Sequence, residues 1–315
     1  MLRFILTRIG TLGITLFLVS IFVFLVVEVL SDVSVCRRLL GQFATDAQVA
    51  ACDTRLGLDR PLPIRYLDFL GNAITLDFGV STFAQQPVID AILPKLGNTL
   101  LLAGIAFAVV MPIALVLGII SALYEGRLLD RFISVTSLTA TSIPEIATGI
   151  FLLVIFVGWL GVLPGATVIP PGDSILQHPK FFVLPVMTLT LIELGYVARI
   201  TRASMVEVLD SAYVRTAVLK GLSYRKIVFR HALRNALMAP IAIIMLHVNY
   251  LIGGVVVVEV IFGYPGLGRF ILDTALNRDV FAIEAAALFL VVVAVGSQLI
   301  ADIAYTFLNP RVRFT

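Results

Sequence analysis

The chain has 315 residues, 59% of them hydrophobic and 14% charged, with a net charge of only +3. A soluble domain is nearer half apolar and a quarter charged. With a mean hydropathy of +1.04, the composition excludes a large water-soluble α-protein, and no nucleic-acid partner is expected.

A membrane-spanning helix needs about 20 consecutive apolar residues. The first such run is Ile9 to Val27, closed by Glu28. It is too long for a signal peptide, and no clean small-residue cleavage site follows, so it is read as a retained helix. The second run is Gly97 to Tyr124. The third, Phe132 to Leu160, is interrupted by Pro144 and Glu145. The fourth, Phe181 to Ala198, contains Glu193. The fifth, Ala236 to Val258, contains His247 and Asn249. The sixth, Val280 to Ala301, has Glu284 near its start and Ser297 and Gln298 further on. Lipid offers backbone groups no partner, so these runs are helices. The short alternating segments of a β-barrel are absent. The expectation is an all-α integral membrane protein with six transmembrane helices.

Lys and Arg set the orientation. Arg199 to Asn235 holds Arg199, Arg202, Arg215, Lys220, Arg225, Lys226, Arg230 and Arg234 against only Glu207 and Asp210. That segment is expected in the cytoplasm. Six spans put Arg127 and Arg131, the N-terminal Arg3 and Arg8, and the C-terminal Arg311 and Arg313 on the same side. Both termini are then cytoplasmic. The resulting plan is residues 1–30 for the N-terminus and first span, and 31–95 for an extracytoplasmic segment. Residues 96–308 form a core of five spans with a cytoplasmic hairpin at 204–235, and 309–315 form a tail.

Ser31 to Lys95 is longer than a simple connection. Asp59-Arg60-Pro61-Leu62-Pro63 signals a turn, and Tyr66, Leu67, Phe69 and Leu70 suggest a short amphipathic helix after it. Both cysteines, Cys36 and Cys52, lie here. In an oxidising compartment, with no third cysteine competing, they pair as a disulfide. The alternative is two unrelated buried thiols.

In the hairpin, Ser204 to Lys220 reads as one helix, because Met205, Val208, Leu209, Ala212, Tyr213 and Ala217 make an apolar stripe. Gly221 suits the left-handed residue after a helix, and Ser223 the N-cap of the next. From composition alone, this hairpin equally fits a basic element that only enforces topology.

Particular strings go further. YVRTAVLKGLSYRKIVFRHALRNAL, Tyr213 to Leu237, resembles the EAA loop of ABC-importer permeases in its dipeptide/oligopeptide form. Ala217, Gly221 and Leu233 match the general pattern, whereas its Glu, first Ala, Ile and Pro are replaced. LGLDRPLPIRYLDFLG (Leu56 to Gly71), SIP (Ser142 to Pro144), ITRASM (Ile200 to Met205), FGYPGLGR (Phe262 to Arg269) and NPRVR (Asn309 to Arg313) resemble that branch in the same order. The resemblance implies a type I ABC importer permease fold with an extracytoplasmic segment after helix 1. It implies the first of two homologous permease subunits, paired as a heterodimer in the bacterial cytoplasmic (inner) membrane. It also implies two ABC ATPase subunits holding ATP and Mg, and an extracytoplasmic substrate-binding protein that selects a di- or oligopeptide or a related small solute. ATPase coupling would fall on Tyr213, Arg215, Thr216, Ala217, Lys220, Gly221 and Leu222.

No Walker string that would cradle phosphates occurs, and Gly263 to Gly268 lacks the following Lys-Ser or Lys-Thr. No cofactor, metal or catalytic set is expected in this chain. Charged groups in hydrocarbon cost about 2.5–3.5 kcal/mol, which makes Glu193, with His247 and Asn249, the candidate lining of a translocation path. The bland reading of Glu193 is a charge neutralised by a neighbouring helix. For His247 it is a hydrogen-bonded packing group. Glu259 and Asp302 lie near membrane boundaries. An ion-coupled secondary transporter would show internal repeats and midplane acids, and an intramembrane enzyme a convergent nucleophile and base. Neither signature is visible.

Overall fold

The computed structural model describes residues 2–29, 35–41, 43–170 and 172–308. Among these the architecture is helical, and the isolated β pairing is a single bridge, Val80 to Pro87. Four helices are long and apolar enough to cross a membrane, and two bent pairs raise the number to six if each counts as one span. The tail 309–315, with its Asn309 to Arg313 string, and the side chains of Arg3, Arg8 and Asn249 lie outside what is described.

The helices run in chain order. α1 is Leu2–Val29, α2 Val35–Leu40, α3 Asp46–Leu56, α4 Leu62–Thr75, α5 Val88–Leu123, α6 Leu128–Ser142 and α7 Glu145–Leu153. They are followed by α8 Lys180–Leu209, α9 Ala212–Leu219, α10 Tyr224–Lys226, α11 Leu233–Ala236, α12 Met238–Ile261, α13 Leu267–Leu276 and α14 Val280–Leu308. π-helical turns extend α7 over Val154–Trp159 and join α10 to α11 over Ile227–Ala232.

The chain forms two compact units. One contains 2–98 and 265–295. Its outer helices have clear local causes. Thr45 and Gln48 form a reciprocal capping box at the start of α3, which satisfies two otherwise orphan donors. Pro61 opens α4, the helix expected from Tyr66, Leu67, Phe69 and Leu70. Cys36 of α2 and Cys52 of α3 are bonded, with Cα atoms 5.7 Å apart. Tyr66 meets Ser20 of α1 through a 2.8 Å hydrogen bond and packs edge-on to Phe24 at 5.4 Å. Asp279 accepts from Ser81 Oγ at 2.6 Å and from Phe83 N–H at 3.0 Å. The same carboxylate accepts from Ala282 N–H at the start of α14, so it ties that helix to the 81–83 turn.

The other unit contains 99–264 and the chain from Gly296 onward. Its centre is α8, packed against α6, α7 and α12. Leu152, Phe182, Leu184, Leu189, Val255, Val258 and Phe262 form its main apolar core. α6 and α8 touch closely at Gly195, where an added Cβ would stand 2.3 Å from the Ser137 carbonyl oxygen.

The third span, Phe132 to Leu160, differs from an unbroken helix at the interruption read at Pro144 and Glu145. α6 and the α7 segment meet at 104°. Pro disfavours a helical conformation in the residue before it, and Ile143 is extended at φ −90°, ψ 130°. Pro144 then opens α7. The fourth span also differs, because α8 continues through Leu209, about three turns beyond the apolar run.

Candidate functional site

Two features of the second unit carry the predicted residues: the hairpin after α8 and a polar pair between α8 and α12.

The hairpin is not the single Ser204 to Lys220 helix that the stripe suggested. Ser204 to Leu209 belongs to α8, and the chain breaks at Asp210 and Ser211 before α9. Ser211 is extended and its hydroxyl donates to the Val208 carbonyl, so a short polar residue ends one helix and begins the next. α9 stops at Lys220, and Gly221 turns the chain with φ +73°. Ser223 is extended ahead of α10. The return arm, α10 to α11, then enters α12 at a 44° bend.

The two arms have their own small core of Val214, Ala217 and Ile227, with Leu222 packed on it. Ala217 and Leu222 therefore face inward. Tyr213, Arg215, Thr216, Lys220 and Gly221 are exposed, with the Tyr213 hydroxyl accepting from Asn235 Nδ2 at 3.1 Å. Sequence reasoning missed two apolar members of that outer surface: Val218 is 56% exposed and Leu219 87%. Their signal was the alternative helical face, obscured by the Met205 to Ala217 stripe. The arms are fixed to α8 by Met205, Val228, Ala232 and Ala236, and by Ser204 Oγ donating to the Ala236 carbonyl at 2.8 Å.

Within the spans, Glu193 is 8% exposed and its Oε2 lies 2.6 Å from His247 Nδ1. Tyr196 and Tyr250 flank the imidazole, with ring centroids 4.8 and 5.4 Å away. The two side chains are thus one hydrogen-bonded unit between α8 and α12. A third polar group lies close to α12. The Glu145 carboxylate presses on Gly254, 2.4 Å from where a Cβ would stand. It follows Pro144 directly, and the sequence showed it only as an interruption. Near the end of α12, Glu259 is fully buried and accepts from Thr99 Oγ at 2.6 Å. A boundary position alone therefore does not account for it. Asp302 accepts from Gln298 one turn earlier at 3.0 Å.

Long apolar helices, a broken third span and buried polar pairs are those of a multi-pass membrane protein. Residues 114–314 match the family described as binding-protein-dependent transport system inner membrane component, and residues 1–103 match its N-terminal companion. The chain belongs to that family and is the transmembrane permease subunit of an ABC importer. The glutathione transport system permease protein GsiC of Escherichia coli (strain K12) is 36% identical over 315 residues, covering 100% of both chains. A protein of Brucella abortus (strain 2308), named for a peptide transport system permease, is 34% identical over 315 residues and likewise covers 100% of both. The crystal structure of an amino acid ABC transporter superposes with a TM-score of 0.51 at 17% identity. It covers 71% of this chain and 94% of that one, and supports the type I importer fold.

Proposed function

We propose that this subunit forms half of a translocation pathway for di- or oligopeptides, and that its hairpin docks onto an ATPase subunit. The observation that carries the docking reading is Leu219, 87% exposed on a helix outside the spans. A large apolar side chain in that position gains when a partner covers it. Tyr213, Arg215, Thr216 and Lys220 surround it as the polar part of the contact. Ala217 and Leu222 act from within and Gly221 at the turn itself: they hold the hairpin stiff, so that motion is passed on rather than absorbed.

Glu193 and His247, with Asn249 on the same helix, are the proposed polar lining of the pathway. The partners are a homologous second permease, two ATPase subunits that bind ATP and Mg, and an extracytoplasmic binding protein that selects the cargo. Basic residues at 199–235 support a cytoplasmic hairpin and cytoplasmic termini. Residues 31–95 then face outward, where Cys36 and Cys52 remain oxidised. The peptide cargo rests on the relatives named for peptide and glutathione transport.

The test is uptake of a labelled tripeptide into proteoliposomes holding both permeases, both ATPases and the binding protein. Uptake is expected with ATP inside and to survive an ionophore. Uptake that collapses with the ion gradient while ATP remains would reject an ATP-driven importer.

A further inference from the structure

We infer that Asp130 and Arg202 form a clasp that passes hairpin motion to the second and third spans. Asp130 stands in the first turn of α6 and is 3% exposed. Arg202 grips its carboxylate with two parallel bonds, Nε to Oδ1 at 2.6 Å and Nη2 to Oδ2 at 2.8 Å. The same carboxylate accepts from Ser121 Oγ of α5 at 2.5 Å, from the Gly126 N–H in the connecting turn at 2.8 Å and from Ser134 Oγ of α6 at 3.4 Å. Arg202 also lies 3.7 Å from Glu125. One buried carboxylate therefore joins the end of α5, the α5–α6 turn and the start of α6 to a single point on α8.

That point lies about two turns before α8 ends at Leu209. On the same stretch, Ser204 and Met205 hold the hairpin arms. The lower end of α8 thus carries the hairpin at one set of residues and α5 and α6 at another. Apolar contacts alone permit sliding. A bidentate guanidinium–carboxylate fork fixes both distance and rotation. A displacement of the hairpin must then move the α5–α6 turn with it. Asp130 and Arg202 are positioning residues: they touch neither cargo nor nucleotide.

This inference rests on the docking role proposed for the hairpin. The test uses the complete importer, reconstituted with its binding protein, and compares wild type with Asp130→Asn and Arg202→Lys. Asp130→Asn is nearly isosteric but loses the charge. Arg202→Lys keeps the charge and loses the fork. Docking is read separately, by ATPase co-purification and by cross-linking from a cysteine at position 219. The expected result is normal co-purification and cross-linking, ATP hydrolysis no longer stimulated by loaded binding protein, and uptake reduced at least tenfold. Asp130→Asn with wild-type uptake would overturn the clasp. If Asp130→Asn does not assemble, Arg202→Lys decides. Assembled and uncoupled supports the clasp, whereas unassembled or fully active rejects it. No cross-link from wild-type position 219 would instead count against the docking role itself.

Discussion

Glu193 of α8 and His247 of α12 meet at 2.6 Å, with the imidazole between Tyr196 and Tyr250. Such a buried hydrogen-bonded pair is costly to half-remove, because it leaves one polar group without its partner, typically about 1–3 kcal/mol. Replacing both partners with apolar residues is often neutral. Glu193→Leu/His247→Leu should therefore assemble with wild-type heat stability, whereas His247→Leu alone should lower it. If the pair lines the pathway, the double variant still transports several-fold more slowly or with altered cargo preference. Unchanged uptake of the same cargos by the double variant would leave the pair a packing device only.

Gly195 tests the α6–α8 contact. A Cβ there would meet the Ser137 carbonyl oxygen at 2.3 Å and Thr141 Cγ2 at 2.7 Å. Backbone cannot rotate away as a side chain can, so the helices must part. Overpacking of this kind costs about 1–3 kcal/mol. Gly195→Val should lower the melting temperature of the purified complex, and Gly195→Ala should lower it less. Equal melting temperatures for all three would show that the two helices are not in such close contact.

The bond between Cys36 and Cys52 closes a loop with a sequence separation of 16. Loop-entropy arguments give roughly 3 kcal/mol for a loop of about this length. Protein denatured without reductant should resist maleimide labelling, and reductant should expose two thiols. Quantitative labelling before reduction would mean that the cysteines are free in the cell.

Gly221 sets the hairpin's turn at φ +73°. A β-branched residue in that region costs about 1–3 kcal/mol. Gly221→Val should insert normally, since it touches no span, yet lose most uptake. Ala217→Asp acts differently from a surface change, because Ala217 is 8% exposed within the Val214–Ile227 core. It should loosen the hairpin and increase its proteolysis in detergent. A hairpin as protease-resistant as wild type in both variants would contradict a stiff element held by this core.

The spans were legible because lipid demands long apolar runs, and the break in the third because Pro144 steers Ile143 out of the helix. The 104° between its halves was not legible, since packing against α8 and α12 sets that angle rather than local chemistry. In the hairpin, Gly221 announced the turn. The stripe from Met205 to Ala217 ran across the Asp210–Ser211 break, because helical periodicity continues through a short kink. Periodicity also shows which residues share a face but not what covers it. Ala217, matched through the family resemblance, sits in the hairpin's own core, and Leu219 on the outer surface carried no motif signal. The pairs Glu193–His247 and Asp130–Arg202 join residues 54 and 72 positions apart, and no pattern along one sequence connects such partners.

Docking of the hairpin is tested most directly by cross-linking in the assembled importer. Single cysteines at 213, 216, 218, 219 and 220 would be treated with a short thiol cross-linker against cysteines around the ATPase groove. Positions 218 and 219 should cross-link most efficiently, Gly221→Val should abolish the product, and an inward position such as 214 should give none. A fully active importer with no cross-link from any of the five outer positions would show that the hairpin does not touch the ATPase.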